Sequence, residues 1–292
     1  METIDVSVVI PTYNKQDFLE LTLTALGHQT YPFEKYEVVI INDGSTDNTE
    51  RLVSSLKSPY QINYTRQENK GRSAARNRGI EKAKGKIIIF LDDDCIPLPT
   101  FIESHMRFHS ENHKSVVLGY KYLTFSQMLP ESSQRKKILM EILSNHETLR
   151  LLRDVPEGTM LTCPQDFDDG FDRFAQLSYA GEKERWEHAY QVYTPQLKGF
   201  VIPWLLFTSA NFSMSKIGCV DAGQFDENFE GWGLEDYEMG YRLYQRGFHF
   251  LLDKTSVTYR LVHPGDVDED RVASKVKNYI YFCQKHPHIE IY

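Results

Sequence analysis

Three consecutive carboxylates, Asp92-Asp93-Asp94, close the apolar run Lys86-Ile87-Ile88-Ile89-Phe90-Leu91. Adjacent acids repel one another and are costly to hold together unless a cation neutralises them. Their hard oxygens suit Mg²⁺ or Mn²⁺, with water and substrate phosphates completing the coordination. A solvated acidic turn is the plain alternative. A second segment, Asn69-Lys70-Gly71-Arg72-Ser73-Ala74-Ala75-Arg76-Asn77-Arg78-Gly79, gathers cations around a helix start. Arg72 and Arg76 are four apart and share one face. They read as an anion or nucleotide site beside the metal, or as a solvated helix face. The third segment is Gly231-Trp232-Gly233-Leu234-Glu235-Asp236-Tyr237-Glu238. Glycines around a tryptophan suit a mobile loop that offers a flat apolar face to a sugar ring. Glu235 and Asp236 then open a helix, where the dipole favours negative charge. They read as a helix cap or as a general base.

Repeated strand and helix signals position these groups. Val6–Ile10, Val38–Ile41, Ile62–Tyr64 and Lys86–Leu91 read as strands. Helices are expected over Asp17–Ala25, around Leu52, Val53 and Leu56 behind a Thr46 or Asp47 cap, and over Ser73–Lys84. Strands with near-continuous apolar runs, alternating with helices, imply an α/β fold with a mostly parallel sheet covered on both faces. Ligands of such sheets bind at the carboxyl ends of the strands. Thr12-Tyr13-Asn14, Asp43-Gly44-Ser45 and the acid triplet all follow strands. In the middle, Val116–Leu118 is expected as a strand, Gln134–Arg153 as one amphipathic helix, Asp166–Asp172 as an acidic exposed loop and Glu182–Tyr193 as a helix. Further on, Phe207–Met214, Phe248–Leu252 and Val257–Val262 read as strands. Glu235–Arg246 and Glu269–Lys285 read as helices.

Composition removes several classes. With 292 residues, 41% of them hydrophobic, the chain can bury a sizeable core, which excludes bulk disorder. Thirty-three Lys and Arg against 41 Asp and Glu give a net charge of −8, so long nucleic acids are not expected partners. Cys95, Cys163, Cys219 and Cys283 are too scattered for a zinc knuckle and are expected as reduced thiols. The acidic start Met1-Glu2-Thr3-Ile4-Asp5 is not expected to act as a signal peptide, and the longest apolar run, Phe200–Phe207, is far short of the ~20 residues that span a bilayer. A cytoplasmic protein is expected, with any membrane contact peripheral.

Together these residues resemble a family 2 glycosyltransferase of the GT-A fold. The resemblance rests on Val8-Val9-Ile10-Pro11-Thr12-Tyr13-Asn14, Ile41-Asn42-Asp43-Gly44-Ser45-Thr46-Asp47, the Ala75-Arg76-Asn77-Arg78-Gly79 run and Phe90-Leu91-Asp92-Asp93-Asp94. It resumes from Phe225-Asp226 to Tyr244, where Gly-Trp-Gly-x-Glu-Asp is similar to a galactosyltransferase-like C-terminal part. The resemblance implies one continuous GT-A domain. Within it, residues 1–118 would bind the nucleotide-sugar, 119–203 would form a variable acceptor region, and 204–292 would complete the acceptor and catalytic side.

The resemblance also implies residue roles. Pro11, Thr12, Tyr13, Asp43, Arg72, Arg76, Asp92 and Asp93 would bind the donor, with Asp43 accepting from a uracil imide and Arg76 approaching the base and phosphates. Asp94 would bind Mn²⁺ or Mg²⁺ directly, with Asp92 beside it. His263 is either a further metal ligand or a surface histidine. Trp232, Gly233 and Glu235 would meet the acceptor, and Asp236 would be the catalytic base. The expected reaction is inverting, metal-dependent transfer from a nucleotide-diphospho-sugar, UDP-linked in the first instance, as in polysaccharide biosynthesis. The acceptor stays open among saccharide, lipid-linked, peptide and small-molecule hydroxyls. A sugar-1-phosphate nucleotidyltransferase is a weaker alternative, because no glycine-rich basic loop follows the first strand. A non-catalytic sugar-nucleotide-binding module would have no use for Asp92, Asp94 and Asp236 together.

Overall fold

Apolar runs build the chain into alternating elements: β1 (Val6–Thr12), α1 (Gln16–Leu26), β2 (Tyr36–Asn42), α2 (Thr49–Ser55), β3 (Gln61–Arg66), α3 (Arg72–Lys82) and β4 (Ile87–Leu91). Next come β5 (Cys95–Pro97), α4 (Phe101–Met106), β6 (Ser115–Phe125), α5 (Lys136–Asn145), α6 (Asp172–Gln176), β7 (Ser178–Tyr179) and α7 (Lys183–Tyr193). The series ends with β8 (Asn211–Ser215), α8 (Lys216–Asp221), α9 (Glu235–Gln245), β9 (His249–Val262) and α10 (Glu269–Lys285). The structure, a computed structural model, describes residues 3–109, 114–179, 183–262 and 269–288.

The described strands form one sheet in the order β3-β2-β1-β4-β8-β6-β9-β5, with β7 on β6. Its first half is parallel, β1 pairing with both β2 and β4, and β2 with β3. Beyond β4 it is mixed: β8 runs antiparallel to β4 and β6, β9 parallel to β6, and β5 antiparallel to β9. Successive side chains point to opposite faces. Val9, Val39, Ile88 and Phe90 pack with Ile80, Phe212 and Met214 on one face, while Val8, Ile10, Val38 and Ile89 pack with Leu19, Leu23 and Phe101 on the other. Both faces are dry, which explains the unbroken apolar runs.

Several expectations are corrected. The helix expected over Gln134–Arg153 is α5 followed by a separate 3₁₀ turn, Glu147–Leu152; His146 at the junction is extended (φ −111°, ψ 114°). The segment Asp166–Asp172 is exposed as expected at Asp168, Asp169, Gly170 and Asp172, but it is anchored from within. Phe167 and Phe171 are buried against Phe174, Ile96 and Leu261, and Asp166 is buried while accepting from the Cys163 amide at 2.7 Å. The strand expected from Phe207 begins only at Asn211, after a 3₁₀ turn over Pro203–Leu206. The two strands expected in 248–262 are one, β9. A register shift opposite Gly119/Tyr120 lets it pass its polar stretch Asp253-Lys254-Thr255. The strand expected over Val116–Leu118 is longer, β6 over Ser115–Phe125. All four cysteines are free, and among the described residues no helix is long and apolar enough to cross a membrane.

Candidate functional site

Strands β1, β2 and β4 end together, since Thr12 pairs with Asn42 and Val9 with Phe90. The residues that follow them therefore converge on one edge of the sheet. A cavity of about 400 Å³ opens there, bordered by Pro11, Thr12, Asp43, Arg72 and the three acids, with Trp232 across from them. Tyr13 stands at its mouth, 48% exposed. Asp43 is buried and accepts from Gln67 Nε2 at 2.7 Å, the Lys70 amide at 3.0 Å and the Gly71 amide at 2.8 Å. It thereby ties the loop after β2 to the start of α3. The helix after β2 has Asn48, not the expected Thr46 or Asp47, at its cap, while Asp47 just before it accepts from the Thr49 amide at 3.1 Å through Oδ1.

Helix α3 carries the cations and needs to lie close to the sheet. A Cβ on Gly79 would come within 2.2 Å of Val9 Cγ1, so only glycine permits that approach. Asn77 spans the gap to the other half of the chain. It donates to the Phe225 carbonyl at 2.9 Å and to Glu227 at 2.8 Å, and accepts from the Phe225 amide at 2.9 Å. Arg76, between them, is 3% exposed and reaches Glu235 Oε1 at 3.0 Å and Asp92 Oδ1 at 3.2 Å. Its guanidinium lies 5.3 Å from the centre of the Phe225 ring. The Arg72 guanidinium, more exposed, is 3.7 Å from the same Glu235 oxygen.

The acid triplet is graded by depth. Asp94 is 1% exposed, Asp93 is also buried, and Asp92 opens toward the cavity. Lys15, which sequence reasoning passed over, places its ammonium 2.7 Å from Asp94 Oδ2 and 3.4 Å from Asp93 Oδ1. Arg260 on β9 approaches Asp94 Oδ1 at 3.7 Å. Burial pushes Asp93 up to about 6 despite the opposing charge of Lys15. Burial also works against the Lys15 ammonium, but Asp93 and Asp94 outweigh it and hold its proton more tightly than in water. Among the described residues no group of three His, Cys, Asp or Glu forms a ligand set. The three acids nevertheless present hard carboxylate oxygens that already face positive charge from Lys15, Arg76 and Arg260, the donor type a divalent cation takes. His263 lies outside the described residues.

A second hollow, about 120 Å³, adjoins the first and shares Arg72, Arg76, Asp92, Trp232 and Arg260 with it. Asp236 and the segment Thr208–Ala210 close its far side. Glu235 and Asp236 head α9 but point apart. Glu235 is 3% exposed and committed to Arg76. Half-buried Asp236 accepts from the Tyr237 amide at 2.9 Å and the Ser209 amide at 3.4 Å. Burial and the neighbouring Glu235 raise Asp236 to about 6, against the pull of Arg76 and Lys121. Both hollows are roofed by Trp232. Asn278 on α10 donates to the carbonyls of Glu230 at 3.0 Å and Gly233 at 2.8 Å, bracing the loop expected to be mobile at both ends. Arg271 and Lys275 of α10 lie 5.9 and 5.7 Å from the Trp232 ring centre.

Residues 7–166, more than half of the chain, match the sequence profile of the family described as "Glycosyl transferase family 2". The chain belongs to glycosyltransferase family 2. Validoxylamine A glucosyltransferase of Streptomyces hygroscopicus subsp. jinggangensis is 32% identical over 284 residues, which are 96% of this chain and 61% of that protein. The chain therefore spans less than two thirds of that relative. Solved structures share the fold. The mannosyltransferase PcManGT from Pyrobaculum calidifontis, in complex with GDP-Man and Mn²⁺, superposes with a TM-score of 0.60 at 15% identity, covering 99% of this chain and 66% of that one. S. aureus TarS 1–349, in complex with UDP-GlcNAc, gives 0.59 at 16% identity, covering 99% and 68%. The expected GT-A fold is thus present, and the glycosyltransferase is an enzyme by its family.

The residues named from sequence fall into two groups around these hollows. Pro11, Thr12, Tyr13, Asp43, Asp93 and Asp94 line only the larger, Gly233, Glu235 and Asp236 only the smaller, and Arg72, Arg76, Asp92 and Trp232 both. Sequence reasoning missed Lys15, Lys121, Arg260, Arg271 and Lys275. Arg260 left a signal, as a charged residue inside the expected strand Val257–Val262.

Proposed function

We propose that this glycosyltransferase moves a sugar from a nucleoside diphosphate sugar, UDP-linked in the first instance, to an acceptor hydroxyl with inversion at the anomeric carbon. The observation that carries this reading is the pair of adjoining hollows with Asp236 facing only the smaller. Donor and acceptor then meet at the shared wall.

In this reading Tyr13, Thr12 and Pro11 border the base, and Asp43 takes its imide N–H. Arg72 faces the phosphates. Arg76 sits deeper and keeps Asp92 and Glu235 in place. Asp92 and Asp94 would hold Mn²⁺ or Mg²⁺, which, when bound, stabilises the departing diphosphate as a Lewis acid. Asp236 takes the proton of the acceptor hydroxyl as that oxygen bonds to the anomeric carbon. The sugar–phosphate C–O bond breaks, and its electron pair leaves with the nucleoside diphosphate. One base and in-line attack give inversion, whereas a glycosidase needs two carboxylates flanking the bond. The test is a thermal-shift comparison of UDP-, GDP- and ADP-sugars with Mn²⁺. A ligand at 100 times its Kd stabilises by ~2.7 kcal/mol, and the UDP-sugars should give the largest shift. No shift with any nucleotide-sugar would remove the donor reading.

A further inference from the structure

Asp43 borders the larger cavity with most of its hydrogen-bonding capacity already spent. A carboxylate offers about four lone-pair positions to donors, shared equally between its oxygens. Oδ1 accepts from Gln67 Nε2 at 2.7 Å and from the Lys70 amide at 3.0 Å, and Oδ2 accepts from the Gly71 amide at 2.8 Å. Oδ1 is thus filled, and Oδ2 keeps a single position for a ligand in the cavity.

The sheet register builds this arrangement. Strands β2 and β3 pair so that Arg66 stands opposite Asn42, and the Gln67 amide donates to the Asn42 carbonyl at 2.9 Å. The next residues along the two strands are therefore neighbours, and these are Asp43 and Gln67. The Asp43 amide donates to the Thr12 carbonyl at 2.9 Å, which pins its backbone from the β1 side. Two of the three donors to the carboxylate are backbone amides, which the loop would supply with many sequences. Gln67 supplies the third from a side chain, and only its amide nitrogen can donate to a carboxylate. Gln67 does not line the cavity, so it acts on a ligand only through Asp43.

Bases differ in how many donors they bring to such an oxygen pair. Uracil offers one imide N–H between two carbonyls. Hypoxanthine offers one N–H beside a carbonyl. Guanine offers its N1–H and its 2-amino group side by side, and these need two acceptor positions at once. A buried donor left without an acceptor is costly, and a site that pairs one base edge rejects another on that ground.

We propose that Gln67 is a positioning residue for base choice: by occupying one oxygen of Asp43 it leaves a single acceptor, which suits a base with one imide N–H and refuses guanine. The inference rests on reading Asp43 as the contact to the donor's base.

Calorimetric titrations of UDP, IDP and GDP with Mn²⁺ test this in the wild type and in Gln67→Met. IDP and GDP share the purine ring, so their comparison isolates the 2-amino group from ring size. In the wild type IDP should bind about 10-fold tighter than GDP, the scale of one unpaired donor. Gln67→Met keeps the side-chain length and removes the donor, so GDP should gain and the two should come within about 2-fold of each other. A merely structural role for Gln67 would weaken all the nucleotides alike and leave that ratio as it was. Equal binding of IDP and GDP by the wild type, or a ratio unchanged in Gln67→Met, overturns the proposal while UDP binding keeps the donor reading intact. Failure of UDP to bind the wild type strikes the donor reading itself, and this inference with it.

Discussion

The ammonium of Lys15 lies 2.7 Å from Oδ2 of Asp94, so a cation from β1's own loop covers the deepest carboxylate of the acid triplet. The two residues are 79 apart in the chain, and the parallel pairing of β1 with β4 brings them together. A divalent ion and this ammonium would draw on the same oxygens. Lys15→Met should therefore bind Mn²⁺ more tightly in the absence of nucleotide, by about 10-fold for ~1.4 kcal/mol of relieved competition. Titration of free Mn²⁺ by electron paramagnetic resonance measures this. Unchanged or weaker Mn²⁺ binding would show that Lys15 supports the acids rather than competing for them.

Asp236 and Glu235 should separate cleanly by mutation. Asp236→Asn keeps the shape and removes the proton acceptor, so transfer should fall ~10²–10⁴-fold with donor affinity unchanged. Glu235→Gln takes the Glu235 charge from buried Arg76, leaving the Asp92 pair at 3.2 Å, and should lower thermal stability as well as activity. Full transfer by Asp236→Asn, with loss confined to Glu235→Gln, would reverse the assignment.

The pH profile follows from the same carboxylate. Asp236 is raised to about 6, chiefly by burial. The base must be ionised to accept a proton, so kcat/KM should climb as pH rises through about 6 and level off above 7. In Asp236→Asn the residual rate should lose that limb. A wild-type profile flat from pH 5 to 7.5 would count against Asp236 as the base.

Behind the site, His105 bridges Asn211 Oδ1 at 2.9 Å and the Ser213 hydroxyl at 2.8 Å, and His109 meets the same hydroxyl at 2.7 Å. Burial lowers His105 to about 3 and His109 to about 4. Both are neutral in the folded state at pH values where the unfolded chain begins to protonate. Their stabilisation is thus complete above the unfolded value near 6.5 and is lost as pH falls toward the folded values. At pH 5 this is ~2 kcal/mol per histidine. Urea unfolding at pH 7 and pH 5 should show a marked loss, and equal midpoints would refute it.

Gly79→Ala sets two effects against each other. Alanine is favoured over glycine inside a helix by ~0.8–1.0 kcal/mol. The new methyl would meet Val9 Cγ1 at 2.2 Å, and such overpacking costs ~1–3 kcal/mol. The clash should win, with a lower melting temperature and weaker donor binding as α3 moves. A raised melting temperature would mean that Val9 yields.

The parallel half of the fold was legible because both faces of its strands are buried, so Val38–Ile41 carries no polar residue and Val6–Ile10 only Ser7, which is buried and donates to Glu37 at 2.8 Å. Strand β9 hid its continuity behind Asp253, Lys254 and Thr255. There the Asp253 side chain binds the Thr255 amide at 3.1 Å and the Ser256 hydroxyl at 2.5 Å, absorbing polarity that sequence reading took for a break. Asp166–Asp172 was half legible: Asp168, Asp169 and Asp172 are exposed as their charge suggests, but Phe167 and Phe171 decide where the segment packs. In the site, acids and arginines clustered in sequence were easy to find. Lys15 and Arg260 were not, because each is the lone cation of its segment and gains meaning only from partners on other elements.

The bracing of the Trp232 loop by Asn278 also fixes an order of assembly. Every strand of the sheet precedes α10 in the chain, and synthesis runs from the N-terminus. The sheet can therefore find all its partners before the helix that steadies the tryptophan has been made. A nascent or prematurely terminated chain ending near residue 262 would hold its strand pairs yet lack Arg271, Lys275 and the clamp on Gly233. The hollows would form early and stay open on the side that α10 covers.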